Sequence, residues 1–448
     1  MSIPNLRTGN VKILVLTHLY PPHHAGTYDM RCQMQTDALR LRGHNIRVLT
    51  SKHGMNQEQR GGDVDRRLIL NAVFGHDNLS RFRELRALEV ENHRILGETI
   101  AEFQPDLIHV YSLMGLPKSF VFALRQSRLP TVYDVADPWI ADGVRTDPWL
   151  RWWNRPRAPI ISGIARVVLE AAAQRNKFDH TAPTRMMKGY DRIPELYGDN
   201  THVQPDSISA FRFDRLYFCS QALKQATEQA GFKVSHGEVI YPGIPTQSYV
   251  GDVRPASAPA TRLLTVATLG ARSGVLTAVK ALQLLREDKV NVSLSIYGRG
   301  DTNYVAEIRS FVAQHQLPVE FLPVSNIHRD LPQTYRKHDV LLHTAEWNEP
   351  YSLTPLEAMA CGLPVIGAAA GGVGELLRHG ENALVYMPGD EAELAKRIQQ
   401  LQAQPALRCQ IAETGQQEVL SKYNETAVVD QIENYLQTSL EVWGHTAS

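Results

Sequence analysis

The sequence predicts an α/β protein built from two successive doubly wound units, and three observations carry that expectation. The chain has 448 residues, too many for one ordinary hydrophobic core. Short apolar runs alternate with helix-like stretches, as buried parallel strands and their crossover helices require. Finally, a Pro-, Ala- and Ser-rich linker near residue 250 separates two such series.

The first series opens with the apolar run Val11–Thr17 and the turn-rich stretch Leu19-Tyr-Pro-Pro-His-His-Ala-Gly26. A helix is expected from about Tyr28 to Leu41, closed by Gly43, and a second strand at Ile46–Thr50, which completes a βαβ unit. Leu107–Val110 and Thr131–Val135 continue the alternation. Ala141–Arg212 breaks it and reads as an insertion, with the aromatic-basic cluster Trp149–Arg155 and a helix-like stretch Ile160–Gln174. The rhythm resumes at Asp214–Ser220, a strand that ends at a helix cap. After the linker, strands are expected at Leu263–Ala267, Ser293–Tyr297, Val319–Leu322, Val340–His343, Pro364–Gly367 and Ala383–Tyr386. The expected division is an N-terminal unit over 1–245 with the insertion at about 141–212, a C-terminal unit over 246–425, and a last helix over 426–448 that packs back on the first unit. Ligands of such sheets sit outside the carboxyl ends of the strands, here in an expected cleft between the units.

Composition narrows the function. Lys plus Arg equals Asp plus Glu, 47 each, so no global field favours nucleic acid. The four cysteines are scattered, which argues against a disulfide framework or a metal cluster. The first ten residues lack the apolar core of a signal peptide, and the expected location is the cytoplasm. The Trp149–Arg155 cluster leaves three readings open: packing, an acceptor contact, or a peripheral contact with the inner membrane face.

The richest stretch runs from Glu346 to Glu375. Glu349 and Glu357 are separated by seven residues, Thr354 precedes Pro355, and Glu357 falls three residues after Thr354. That spacing makes a capping box, the simpler account of Glu357. A ligand reading stands beside it. A helix N-terminus suits a diphosphate, a carboxylate can accept from both hydroxyls of a ribose, and Gly371-Gly372 would let backbone approach the ligand, or simply form a strand-to-helix turn.

Glu349-Pro-Tyr-Ser-Leu-Thr-Pro-Leu-Glu357-Ala-Met-Ala-Cys-Gly-Leu-Pro-Val365 resembles the nucleotide-sugar signature of the retaining glycosyltransferases of family 4, which have the GT-B fold. Tyr20–Gly26, Arg42–Thr50, Phe218–Leu223, Val239–Ile244 and Gly380–Val385 resemble other pieces of that family, and only about 141–212 has no clear counterpart. The resemblance implies two Rossmann-like domains and hexosyl transfer from a nucleoside-diphosphate sugar to a glycan, lipid-linked or small-molecule hydroxyl. It implies no metal or other cofactor. Glu349 would face the donor sugar and Glu357 the ribose. The amides around Ser352, Leu353 and Thr354, with Tyr351 beside them and with Gly26 and Thr27 in the first loop, would lie near the donor.

The sequence also departs from the family. Ser352 stands where glycine is usual, Thr27 where a second glycine is usual, and Ala136, next to Asp137, where a histidine is often found. Thr268 and Ser273 occupy the positions of a phosphate-binding arginine and lysine. Charge-assisted bonds contribute about 1.5–3 kcal/mol each, so their loss weighs against tight diphosphate binding. Arg272, beside Ser273, and Arg299, in the Gly298-Arg-Gly300 turn, are the substitute cations to consider, or else solvated loop arginines.

The remaining candidates are Asp137 and His109 as catalytic groups at the ends of the first unit's strands, and His23, His24 and Asp134 on the acceptor side. Asp63-Val-Asp65 has metal-binding spacing but sits in an expected Gly/Arg-rich loop, where chance explains it. Two rivals remain. One is a non-catalytic binding protein of the same architecture. The other is a related enzyme such as an epimerase or a phosphorylase, the latter needing a pyridoxal-phosphate lysine with no obvious candidate.

Overall fold

The computed structural model describes residues 10–23, 26–150, 164, 211–324 and 327–447. It falls into two compact units. The first comprises Met1–Cys219, Leu223–Ile240 and Val429–Ser448; the second comprises Ser220–Ala222 and Tyr241–Val428.

The first unit holds a seven-stranded parallel sheet. Its strands are β1 (Lys12–Leu16), β2 (Asn45–Ser51), β3 (Val64–Leu68), β4 (Leu107–Val110), β5 (Thr131–Val135), β6 (Arg215–Phe218) and β7 (Glu238–Val239), in the order β3-β2-β1-β4-β5-β6-β7. β4 is buried at every position and β1 at all but Lys12, which explains why these strands read as continuous apolar runs. Helix α1 (Thr27–Leu41) follows β1, and α2 (Phe82–Phe103) turns Leu85, Leu88, Ile95 and Leu96 to the core. The last helix adds three anchors to this unit: Arg42 pairs with Glu433, Arg215 donates to Ser439, and Tyr435 donates to the Leu216 carbonyl.

β3 departs from the expected loop. Its sequence, Val64-Asp-Arg-Arg-Leu68, looks solvated, yet Asp65 is fully buried with both carboxylate oxygens held by the Arg67 guanidinium at 2.7 and 2.8 Å. Arg67 also reaches Glu98 and Thr99 on α2. Internally paired charges let a polar segment close the edge of the sheet, and they use Asp65 up as a ligand donor.

The second unit repeats the plan with six parallel strands. They are β8 (Arg262–Val266), β9 (Ser293–Tyr297), β10 (Val319–Leu322), β11 (Val340–His343), β12 (Val365–Ala368) and β13 (Leu384–Tyr386), in the order β10-β9-β8-β11-β12-β13. Strand order reverses between β8 and β11, and the crevice at such a switch point is where open α/β sheets hold ligands. The loops after β8 and β11 therefore frame the candidate site.

His24, Arg151–Arg155 of the aromatic-basic cluster and the helix-like stretch 160–174, apart from Ile164, lie outside the described residues. Trp149 is buried and stacks on Phe82 with ring centroids 5.9 Å apart, a packing role for that residue. No helix among the described residues is long and apolar enough to cross a membrane.

Candidate donor site in the second unit

Three loops at the carboxyl ends of the second sheet meet through their backbones. After β8, the turn Ala271–Ser273 leads to Gly274, whose φ is +65°. A Cβ there would lie 1.8 Å from the Thr344 carbonyl oxygen, so only glycine lets this loop lie against the one after β11. The Glu346 amide donates to the Arg272 carbonyl and the Thr344 hydroxyl to the Ser273 carbonyl, which lock the two loops together.

The third loop follows β12. Gly371 has φ +59°, and a Cβ would sit 2.3 Å from the Glu349 carbonyl oxygen; the Gly372 amide donates to that same oxygen at 2.8 Å. The glycine pair thus lets backbone approach the Glu349 loop, where the sequence suggested an approach to the ligand or a plain turn. Gly371→Ala is expected to lower stability by about 1–3 kcal/mol through this clash and the left-handed backbone, read as a fall in thermal midpoint.

Glu349 is held by those contacts with its carboxyl largely buried. Burial alone pushes its acid up to about 7. Among the described residues no hydrogen bond reaches that carboxyl; His343 Nε2 lies 3.7 Å from Oε2. The contact is not an ion pair at neutral pH, because burial brings His343 down to about 4 and keeps the ring uncharged. His343 closes β11, so its strand was legible in the sequence, but nothing there singled out its side chain.

Glu357 corrects the capping-box expectation. Helix Thr354–Ala360 starts one residue earlier than a Thr354 cap would allow, its N-cap is Leu353, and no side chain caps it. The Glu357 carboxyl turns inward instead: Tyr249 donates to Oε1 at 3.0 Å and Tyr335 to Oε2 at 2.8 Å. Burial raises its proton affinity, and the two tyrosine hydrogen bonds oppose that shift. Neither tyrosine was expected here, since they lie 108 and 22 positions away in sequence.

The expected phosphate partners behave unequally. Thr268 is exposed, and the Ser273 hydroxyl donates back to the Gly270 carbonyl at 2.7 Å. Arg299 donates to the Val324 carbonyl, as a loop-bracing arginine does. Arg272 is exposed, with its guanidinium 5.8 Å from the centre of the Trp347 ring, a cation placed at the β8–β11 switch point. Ser352 is buried, while Tyr351, Leu353 and Thr354 are half-buried and Tyr351 packs 5.9 Å from the Tyr241 ring.

In the first unit the structure separates the candidates. His109 and Asp134 are fully buried within the sheet, which corrects the catalytic and acceptor roles expected of them. Asp134 receives Arg31 at 2.6 Å and the Tyr217 hydroxyl at 3.0 Å, and that hydroxyl also meets His109 Nε2 at 3.0 Å. Burial brings His109 down to about 3, out of range for proton transfer near neutrality. Asp137, two residues past β5, stays partly exposed. It accepts from the Ser112 hydroxyl and the Trp139 amide, both at 2.8 Å, and burial lifts it to about 6. Gly26 caps α1 in extended conformation with open space where a Cβ would be, so nothing in the fold demands glycine there. Thr27 begins α1. His23 is half-buried and packs beneath Gly54, whose added Cβ would collide with the imidazole. Its neighbour His53 meets His76 at 2.9 Å. No group of three or more His, Cys, Asp or Glu among the described residues is arranged to hold a metal ion.

Comparison with known proteins fits this geometry. Residues 255–418 match the family model "Glycosyl transferases group 1", and residues 26–179 match "Glycosyl transferase 4-like domain". An uncharacterised glycosyltransferase of Methanocaldococcus jannaschii is 25% identical over 182 residues, 41% of this chain and 46% of that protein. The chain spans about half or less of the length of the curated relatives it matches. Among solved structures, sucrose-phosphate synthase from Thermosynechococcus elongatus superposes with a TM-score of 0.66 at 18% identity, over 96% of this chain and 100% of that one. Anabaena HepE in complex with UDP-glucose gives a TM-score of 0.62 at 20% identity, over 96% and 100%. At these identities the structural likeness speaks for the fold.

Proposed function

Since the chain belongs to the glycosyltransferases of family 4 with the GT-B fold, we propose that it is a retaining enzyme moving a sugar from a nucleoside diphosphate to a hydroxyl of a glycan, lipid-linked or small-molecule acceptor. The observation that carries this reading is Glu349. A desolvated carboxyl with no hydrogen-bond partner among the described residues, fixed by two backbone contacts at the switch point of a parallel sheet, has the chemistry to receive sugar hydroxyls. Glu357 lies eight residues on, pre-set by two tyrosines to accept from a ribose diol. Transfer then proceeds on the face the leaving group occupies, the departing diphosphate taking the acceptor proton, so stabilising that diphosphate is the largest electrostatic task. Arg272 is the cation for it. On the acceptor side, Asp137 and His23 are the groups we retain.

A calorimetric screen of UDP-, GDP-, ADP- and dTDP-sugars tests the reading, with UDP-glucose first because HepE was solved with it. Binding that disappears in Glu357→Ala supports a donor site. Absence of binding to every nucleotide would favour the second reading, a non-catalytic protein of the same fold, to which the inward-turned Ser273 and exposed Thr268 point. Within the enzyme reading, Arg272→Ala is expected to weaken UDP by about 10- to 100-fold, the worth of one charge-assisted bond. An unchanged dissociation constant would return Arg272 to solvent.

A further inference from the structure

We infer that His343 is a positioning residue for Glu349, holding its carboxyl in the orientation that receives the donor sugar. The inference rests on the glycosyltransferase reading of this site.

His343 is the last residue of β11, paired in register with Gly367 of β12. Gly367 carries no side chain, and a Cβ there would lie 2.4 Å from Leu377 Cδ1, so the strand beside the imidazole is bare. Nε2 of His343 is closed to solvent and has no hydrogen-bond partner among the described residues. Buried polar atoms are nearly always paired, and one left alone points to a partner that arrives later. The group it meets is Glu349 Oε2 at 3.7 Å, beyond hydrogen-bond range by about half an ångström to an ångström. Gaps of this kind in unliganded sites close when substrate docks.

The chemistry of the two groups is complementary. A buried neutral imidazole carries one N–H, and a carboxylate accepts only. With Nε2 protonated, His343 supplies the single donor that the desolvated Glu349 carboxyl lacks. Because Nε2 is sealed from solvent, its influence reaches the sugar through Glu349. It should therefore govern the affinity that the sugar adds and leave nucleotide affinity alone.

The test titrates the full chain with UDP and with UDP-glucose, in wild type, His343→Leu and His343→Gln. UDP affinity is expected to stay within about threefold in all three proteins, since no nucleotide contact is touched. The advantage of UDP-glucose over UDP is expected to shrink about tenfold or more in His343→Leu, as loss of a hydrogen bond to a charged group implies. His343→Gln, whose amide N–H can take the place of Nε2–H, should restore most of it. A merely structural role would weaken both ligands together and would not distinguish the two variants. Retention of the full advantage in His343→Leu overturns the inference, as does an equal loss in His343→Gln. So does a wild-type chain that binds UDP but gains nothing from the glucose, an outcome that spares the nucleotide site. A wild-type chain that fails to bind UDP and the other nucleotides removes the glycosyltransferase reading itself.

Discussion

Glu349→Gln is expected to lower turnover by about 100- to 1,000-fold while leaving UDP affinity nearly unchanged, the cost of removing one pre-set polar group from the proposed reacting centre. The same substitution should stabilise the protein in alkaline solution. The Glu349 acid titrates near 7 in the folded chain against an ordinary value of 4.5, because burial penalises the carboxylate. Between those two values the folded state binds more protons than the unfolded state, so this group makes folding stability fall as pH rises from about 4.5 to about 7, and the loss then levels off. By the shift alone the loss amounts to at most about 3.5 kcal/mol. Glutamine has no charge to desolvate. The variant should therefore melt above wild type at pH 8, with the gap narrowing toward pH 5, while its transfer rate collapses. Equal thermal midpoints at pH 8 would show that the carboxyl is better solvated than its position implies, and an undiminished rate would take the chemistry away from this residue.

Such an exchange of stability for activity is common where a fold holds an unsatisfied group in readiness. It also bears on what the sequence could reveal. The central strands were legible because a parallel strand covered on both faces must be apolar throughout, and β4 and β11, buried at every position, lie where their apolar runs stand. β3 was not legible, because Asp65 and Arg67 satisfy each other inside the fold and leave no apolar pattern to read. The site divides the same way. Glu349 was visible as part of a contiguous motif, and its neighbours Gly371 and Gly372 lie in the next loop. Glu357 was visible too, but local spacing suggested a helix cap, whereas its partners are Tyr249 and Tyr335 on distant segments. Spacing rules describe one helix at a time and cannot see a side chain delivered by the fold. The same blindness made His109 and Asp134 look like site residues: both lie near the carboxyl ends of strands, and only Arg31 and Tyr217, brought from elsewhere, show that they face the interior.

That interior network sets the largest stability effect. Arg31→Leu is expected to cost about 3–5 kcal/mol, because it leaves Asp134 fully buried without its cation. The Tyr217 hydroxyl would still donate to Asp134, and burial already raises that carboxyl, so the aspartate would meet the loss by taking up a proton. Two elements are tied by this pair, α1 and β5. Asp134→Asn alone should also destabilise, since it strands the arginine. The double variant Arg31→Leu with Asp134→Asn should recover at least half of the summed loss, because exchanging both partners removes the uncompensated charge. Denaturant unfolding followed by hydrogen exchange in Thr131–Val135 reads the effect where it originates. A cost of Arg31→Leu below about 1 kcal/mol would mean that water replaces the guanidinium, as happens at exposed pairs, and would reopen Asp134 as a group within reach of a ligand. A large cost that the double variant largely recovers would assign the pair to the scaffold, leaving Asp137, two residues beyond the strand and partly exposed, as the acidic group this edge of the sheet offers an acceptor.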